Sequence, residues 1–485
     1  MKISSKYVNY LIIGLMFLMP LFDTVFFFNR FTTLFIVLFV FCLLLLTLIN
    51  NKKSHKTFRY LLLYYLLCMF YLLINYFHSK GFTSLFPGDF NYSLLSEFTT
   101  VLKLMMPFTL LFILKYNDIG NKNYFLIIKY WILFITLSII ITNLFKLSLS
   151  SYGSSKILYN IFEWNDNVYY TLTASKGFFN YANQEACIMI MLLVMSIYMF
   201  FEKGKRNIIY ILLLTISMVM LGTRVSTLGG LLVLLFTSLF IVIFKLITKK
   251  QLKKYYLMMV IPISVWLLLI PISPYSNRNI ELNDTTIRSD YLVNNDNIGQ
   301  ENDANVSNEV KKKNLTKKEK MMQYVDKNHD ENRMPEQFYK NYYSYENDPD
   351  FWYVFVKKYE INEINYRLME ISIVKRINEI DDRNTNMLFG ISNSRIQNVV
   401  NIERDFVLHY YAFGIIGGII LLIIYPIILI KNIILIIENK KELNNYILLF
   451  ILILFLLCAV LTGNILNSLT PIIPLIFIVH KNAKD

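Results

Sequence analysis

Cysteine is scarce in this sequence, and the motifs of several enzyme classes are missing from it. The four cysteines, Cys42, Cys68, Cys187 and Cys458, all lie inside apolar runs, so no disulfide framework is indicated. The sequence contains no His/Cys cluster, no phosphate-binding Gly-Lys-Ser/Thr loop and no Rossmann glycine pattern. We therefore expect a protein that needs neither a metal ion nor a nucleotide, and hence no cofactor.

Long apolar runs, in contrast, are abundant. Hydrophobic residues make up 55% of the 485 positions and the mean hydropathy is +0.45, whereas soluble domains are roughly 45–50% apolar. Several runs approach or exceed the ~18 residues that cross a bilayer as a helix. The sequence thus predicts an all-α polytopic membrane protein of about twelve transmembrane helices, at 8–28, 31–49, 60–77, 98–114, 124–145, 186–201, 208–222, 225–247, 256–272, 406–430, 446–461 and 466–479.

The net charge of +14 comes from Lys and Arg residues that collect in short loops between the apolar runs, not in one basic domain. This distribution is typical of membrane topology and argues against a nucleic-acid partner. The positive-inside rule places the basic loops and both termini in the cytoplasm. Residues 1–274 then form a membrane bundle of nine helices, 275–405 one large extracytoplasmic loop, and 406–485 the last three helices.

The large loop divides by composition. Residues 276–333 are rich in Asn, Asp, Lys and Glu with few aromatics, which is typical of a flexible chain. Residues 338–404 regain Tyr, Phe and Ile and are predicted to be partly helical. An amphipathic helix that lies on the membrane face or on the bundle is indicated by apolar residues at spacings of three, four and seven, namely Phe355, Tyr359, Tyr366, Met369 and Ile373.

Ionisable residues at membrane edges are candidates for function because a charge is costly there. Arg224 lies in the turn 221–227, Leu-Gly-Thr-Arg-Val-Ser-Thr, between two spans at the predicted outer surface. A functional role and interfacial snorkelling stand as alternatives for it. We expect four further ionisable residues to be packed or to snorkel rather than to react, namely Asp23, Glu97, Lys103 and Lys129.

A second group of candidates surrounds the predicted start of the tenth span. Glu403 and Asp405 are carboxylates two residues apart, and in a helix they would point about 200° apart at ~100° per residue. We expect one to be catalytic and the other to orient an arginine. His409 follows Asp405 by one turn on the same face, so a carboxylate–imidazole pair and a hydrogen bond to a neighbouring helix are both open.

These motifs resemble those of the O-antigen polymerase and O-antigen ligase superfamily of bacterial envelope glycosyltransferases. Residues 177–183, Gly-Phe-Phe-Asn-Tyr-Ala-Asn, are similar to the family signature Gly-x-Phe-x-Asn-Pro-Asn, with Tyr-Ala where the family usually has Asn-Pro. The turn at Arg224 resembles a Ser-Arg or Gly-Thr-Lys turn of the family. Arg367 and the later 388–392, Leu-Phe-Gly-Ile-Ser, are similar to the Arg and Leu-x-Gly-x-Gly elements of its large loop, with Ser in place of the second glycine.

The segment that closes the loop resembles an acidic version of the family's. Glu403-Arg-Asp405 runs into Phe-Gly-Ile-Ile-Gly at 413–417, where ligases usually show His-Asn. Because His-Asn is absent, the resemblance favours a polymerase over a ligase. It also implies a membrane fold like that of the GT-C-type glycosyltransferases.

The resemblance implies a reaction at the outer leaflet of the bacterial cytoplasmic membrane, in which polyprenyl-diphosphate-linked oligosaccharide repeat units are joined into a surface polysaccharide. Arg224, Arg367 and Arg395 would bind the substrate diphosphate, because guanidinium forks match phosphate oxygens. Glu403 or Asp405 would be the base, with His409 as a substitute. Lipid-linked oligosaccharide and membrane lipids are the implied partners, and a chain-length regulator is left open.

Three rival functions are carried forward. A flippase or other transporter would also have about twelve spans, but its charges should lie near mid-membrane and its halves should repeat. Here the candidates lie at the predicted outer edge, and the first half has no evident repeat in the second. A ligase that transfers the glycan to another acceptor, and a receptor or scaffold whose loop binds a partner, are the other two.

Overall fold

Helices account for the regular structure of this protein. The computed structural model describes residues 5–85, 91–163, 170–251, 254–283, 316–329, 334, 336, 338–358, 366–400 and 402–483. Within these residues the backbone forms three isolated β-bridges and no extended strand. The predicted fold class, an all-α polytopic membrane protein, is confirmed.

The α-helices are numbered in chain order. Those up to the large loop are α1 (Ser5–Phe22), α2 (Arg30–Asn50), α3 (Ser54–Ser79), α4 (Leu94–Tyr116), α5 (Asn121–Leu144), α6 (Ala182–Lys203), α7 (Ile208–Leu221), α8 (Gly230–Ile247), α9 (Val260–Leu269) and α10 (Pro274–Asn283). The later ones are α11 (Lys317–Asn328), α12 (Pro349–Lys358), α13 (Tyr366–Asp381), α14 (Asn386–Phe389), α15 (Asn393–Val399), α16 (Asp405–Leu422), α17 (Ile424–Glu438), α18 (Leu443–Leu461) and α19 (Leu469–Val479).

Nine helical segments among the described residues are long and apolar enough to cross a membrane. Two shorter apolar helices, Lys6–Phe22 and Leu469–Val479, accompany them. The predicted seventh span corresponds to α7, whose 14 residues extend about 21 Å at 1.5 Å per residue, less than the ~30 Å hydrocarbon core. The nine long apolar segments make the chain an integral membrane protein. The count of about twelve spans and the orientation of the termini stay predictions.

The first of two compact units comprises Met1–Cys68, Val101–Ile280 and Leu421–Asp485. Its central helix is α6, which is 94% buried over its most apolar stretch and packs against α7, α8, α18 and α19. The sequence of α6 is apolar on every side, with Met, Leu, Ile and Val around the whole helix. Such a helix is stable only when it is surrounded, which places it in the core of this unit.

The second unit comprises Met69–Thr100 and Glu281–Ile420, and two glycines set its packing. Gly390 and Gly414 have φ angles of 76° and 64°, and a Cβ on either would collide with the backbone of the segment that contains the other. The hydroxyl of Tyr71 lies within hydrogen-bonding distance of the carbonyl oxygens of Phe389 and Phe413, at 2.9 and 2.6 Å, and its one proton is shared between the two segments. The two backbone segments therefore cross in close contact at Gly390 and Gly414, and this backbone crossing requires glycine at both positions.

This crossing gives a stability prediction. We expect Gly414→Ala to lower the free energy of unfolding by at least about 1–3 kcal/mol, because a side chain at positive φ is strained and here also meets backbone. Gly418 lies on the same helix with open space around its Cα, so Gly418→Ala is the matched control and should be neutral or slightly stabilising. Thermal unfolding of the detergent-solubilised variants measures both, and equal stability of the two would contradict the prediction.

The large loop contains helices on both sides of residues 284–315, which lie outside the described residues. Within the segment predicted to be flexible, α10 and α11 are helical, and Thr316 and Glu319 form a capping box at the start of α11. The predicted amphipathic stripe falls on α12 and α13, where Phe355, Met369 and Ile373 are buried. Tyr359 of that stripe lies outside the described residues.

Candidate functional site

The residues around Arg224 hold it at the first turn of a long helix. Gly222 ends α7 in the left-handed conformation, at φ 68°. Thr223 and Ser226 then exchange two hydrogen bonds, each from one backbone N–H to the other side-chain oxygen at 3.1 Å, as in a capping box. Arg224 itself is exposed at the start of the helical segment Val225–Ile247. The dipole of this helix adds to its attraction for anions.

A second arginine, Arg278 of α10, belongs to the same surroundings in the first unit. Its Nη1 donates to the hydroxyl of Tyr152 at 3.0 Å, and its guanidinium lies over the rings of Tyr152 and Tyr170, at 5.0 and 5.5 Å. Burial raises the pKa of Tyr152, while the charges of Arg278 and Arg224 lower it, so both cations act on this phenol. We call Arg224, Arg278 and Tyr152 the cationic cluster.

Gly222 makes the cationic cluster sterically possible. A Cβ on Gly222 would lie 2.7 Å from the Cβ of Pro274, the first residue of α10. The hydroxyl of Tyr152 donates to the carbonyl oxygen of Gly222 at 3.0 Å. The glycine therefore both ends α7 and lets the helix that carries Arg278 approach closely.

The signature-like segment 177–183 is a structural connector within the first unit. The backbone N–H of Gly177 donates to Oγ of Ser148 at 2.8 Å, and that of Asn180 to the carbonyl oxygen of Asp23 at 3.2 Å. Near its end, Asn183 donates to the carbonyl oxygen of Thr462 at 3.4 Å. These bonds fix the start of α6 against three other parts of the unit, so the motif positions helices here.

Glu403 lies in a cluster of charged groups in the second unit. Its Oε2 accepts a hydrogen bond from Nε of Arg367 at 3.1 Å, and the two side chains are 39% and 37% exposed. Its backbone N–H donates to Oε2 of Glu370 at 3.1 Å. Glu370 is buried, and burial, with a contribution from the charge of Glu403, raises its pKa to about 8. We call Arg367, Glu370 and Glu403 the carboxyl cluster.

The two carboxyl groups of the carboxyl cluster lie in different surroundings. Glu370 is buried, and its pKa of about 8 means that it holds its proton at neutral pH. Glu403 is partly exposed and is paired with a guanidinium. Carboxyl groups held side by side in unlike environments are a frequent arrangement in acid–base catalysis. Of these two carboxyl groups, that of Glu403 is the one accessible to water.

Asp405 and His409 lie in a different environment from Glu403. Both are buried at the start of α16, with exposures of 0% and 2%, and His409 packs against the ring of Phe413, with the centroids 5.4 Å apart. Neither ring nitrogen of His409 has a hydrogen-bond partner in the part of the chain that the structure describes. The catalytic roles of Asp405 and His409 stay predictions, and of the three candidates Glu403 is the accessible one.

Arg395 is enclosed by protein. Its guanidinium lies 4.4 Å from the ring centroid of Phe82 and 5.7 Å from that of Tyr92, and Nη2 donates to the carbonyl oxygen of Ser79 at 2.9 Å. Burial lowers its pKa. Its role as a diphosphate ligand stays a prediction, and these contacts favour a function in fixing α15.

Two groups that the sequence did not single out belong to these clusters, Glu370 to the carboxyl cluster of the second unit and Arg278 to the cationic cluster of the first. Glu370 follows Arg367 by three residues, so one face of α13 carries both. That spacing was the available signal. Arg278 fell in a segment whose polar composition indicated flexibility, and no local signal marked it. Among the described residues, no three His, Cys, Asp or Glu side chains come together to hold a metal ion.

Comparison with known families adds one finding. The sequence matches the family described as O-antigen ligase like membrane protein over residues 4–481. No curated protein and no solved structure matches the chain. The match covers nearly the whole chain and confirms the resemblance that the motifs indicated.

Proposed function

Because the chain belongs to the O-antigen ligase-like membrane protein family, we propose that it polymerises polyprenyl-diphosphate-linked oligosaccharide repeat units into a surface polysaccharide. Family membership makes it an integral membrane enzyme of glycan assembly, with glycosyl transfer as its chemistry. The observation that carries the finer proposal is the carboxyl cluster, in which an accessible, arginine-paired Glu403 adjoins a buried carboxyl group. We place the reaction at the outer leaflet of the bacterial cytoplasmic membrane.

In the proposed reaction, Glu403 is the general base. It accepts the proton of the attacking sugar hydroxyl as that oxygen bonds to the anomeric carbon of the donor. The bond from the anomeric carbon to the diphosphate oxygen breaks, and its electron pair leaves with the polyprenyl diphosphate. The products are one new glycosidic bond, one lipid diphosphate and one proton held by Glu403.

Arg367 has two roles in this scheme. In the free enzyme it donates to Glu403 at 3.1 Å and so holds the carboxylate in position. Because both side chains are more than one third exposed, the pair can open at little cost. An arriving diphosphate then attracts Arg367, and the carboxylate of Glu403 is left free to accept the hydroxyl proton.

The cationic cluster is assigned to the leaving group. Two guanidiniums and a helix N-terminus provide charge and N–H donors for phosphate oxygens. Tyr152 holds Arg278 by a hydrogen bond and by its ring, which reduces the entropy lost when Arg278 binds an anion. Stabilisation of the charge that develops on the diphosphate is the main contribution expected of this cluster.

A ligase is the second candidate because the family is described by ligation. The two reactions share the donor and differ in the acceptor. The polymerase is favoured by Glu403-Arg-Asp405 at the end of the loop, where ligases of the resembled superfamily usually show His-Asn.

The acceptor decides between the two reactions. Purified protein is incubated with lipid-linked repeat units as the only sugar substrate, and the glycans are separated by length. A ladder of products on the lipid carrier is expected. Products that form only after a separate acceptor lipid or glycan is added would replace the polymerase by a ligase, and a protein that forms neither would overturn both.

A further inference from the structure

Two carboxyl groups meet inside the helix bundle of the first unit and have no part in the proposed transfer. Asp23 follows α1 directly, and Glu185 lies in the first turn of α6. Each is 1% exposed, and the two side chains are within hydrogen-bonding contact of each other. Thr470 Oγ1 donates to Oδ1 of Asp23 at 2.9 Å.

Asp23 and Glu185 also line a small cavity. Oδ2 of Asp23 and Oε2 of Glu185 are buried and have no hydrogen-bond partner among the described residues, and both residues line a cavity of about 10 Å³. The other lining residues come from α1, α5, α6 and α19 and are apolar or carry a hydroxyl, as Met19, Trp131 and Thr470 do. None of the lining residues carries a positive charge.

Two ionised carboxylates cannot share such a site. An unpaired buried charge is strongly unfavourable, and a second like charge in contact adds repulsion. A cation is needed between them. A hard metal cation takes about six oxygen ligands, whereas the side chains here offer two carboxyl groups and one hydroxyl. The cavity is at the lower limit for a single water molecule, roughly 10–15 Å³, so a proton fits and a coordinated metal ion does not.

We propose that Asp23 and Glu185 form a proton-binding site that holds a proton between the two carboxyl groups at neutral pH. This site also couples proton binding to the connector at 177–183, because Asn180 donates to the carbonyl oxygen of Asp23 and Val25 to that of Phe178. Loss of the proton places two like charges in contact, pushes α1 from α6 and loosens this connector. The inference is independent of the proposed glycosyl transfer.

Infrared spectroscopy of the full-length protein in detergent tests the site directly, since the carbonyl stretch of a protonated carboxyl group is resolved from the bands of a carboxylate. At pH 7 the spectrum of the wild type minus that of Glu185→Gln should contain a protonated-carboxyl band that shifts in D₂O. Asp23→Asn should remove the same band. Glu438 is exposed on α17, so the matched control Glu438→Gln should leave the band in place.

A difference spectrum with carboxylate bands alone at pH 7 would overturn the proposal. The proposal would also be overturned if sodium chloride removed the protonated band while choline chloride of equal ionic strength left it in place, because the site would then bind a metal cation.

Thermal unfolding gives a second readout. The folded pair holds a proton that unfolded carboxyl groups release above about pH 5, so the melting temperature should fall from there until the folded pair loses its proton. Glu185→Gln should make that fall smaller, and Glu370, which also keeps its proton when folded, should account for part of what remains. An equal fall in both proteins would also contradict the site.

Discussion

Glu403→Gln is expected to lower the turnover number for glycosyl transfer by about 10² to 10⁴, the usual contribution of a positioned general base. Glutamine has nearly the same shape as glutamate and can still accept a hydrogen bond from Arg367, but it cannot take the hydroxyl proton. The loss should therefore appear mainly in kcat, with little change in KM for the lipid-linked donor. Initial rates with purified protein at several donor concentrations separate the two constants.

The matched control for this substitution is Glu379→Gln. Glu379 is an exposed residue of α13 whose ion pair with Lys375, at 3.9 Å, is also exposed, so its replacement should change neither constant. Glu403→Gln with wild-type turnover would remove Glu403 as the base. The buried Asp405 would then be the next carboxyl group to test.

Arg224→Ala is expected to lower kcat/KM by about 10² to 10³, a loss typical of the removal of one preorganised group that stabilises transition-state charge. The guanidinium meets charge that develops as the diphosphate leaves, so kcat should fall more than the apparent affinity for the donor. Arg224→Lys keeps a cation but loses the two-bond fork, and it should recover only part of the rate. Initial rates of the three proteins provide the comparison.

Arg206→Ala is the matched control for Arg224→Ala. Arg206 is exposed, as Arg224 is, and it lies in the loop between α6 and α7. Because the connection is basic and short, the positive-inside rule predicts that it faces the cytoplasm. Its replacement should leave the transfer rate unchanged. Equal losses for the two substitutions would attribute the effect to general charge or stability and not to the diphosphate.

The fold class was predictable because a bilayer imposes a length and a polarity on every helix that crosses it. Runs such as Val225–Ile247 carry that signal in local sequence. The backbone crossing of Gly390 and Gly414 was not predictable, because it depends on two segments that come together only in the folded chain. The sequence motifs contain both glycines, but only the folded structure shows which backbone segment each glycine contacts.

The candidate site was predictable to the extent that its parts are local. Residues 221–227 contain a glycine that ends one helix and a threonine that caps the next. This pattern predicts that Arg224 lies in an exposed turn. The state of Glu370 could not be predicted, since its raised pKa comes from burial by residues distant in sequence. Arg395 shows the same limit. Its aromatic neighbours Phe82 and Tyr92 precede it by some 300 residues.

Release of the leaving group tests the central claim of glycosyl transfer most directly. Detergent-solubilised protein has no compartments, so transport cannot occur, and it is given lipid-linked repeat units without nucleotide or ion gradient. The proposed function predicts one molecule of polyprenyl diphosphate for every glycosidic bond formed, and neither product with Glu403→Gln above the residual rate. Intact lipid-linked substrate after prolonged incubation with folded wild-type protein would contradict it and favour a transporter.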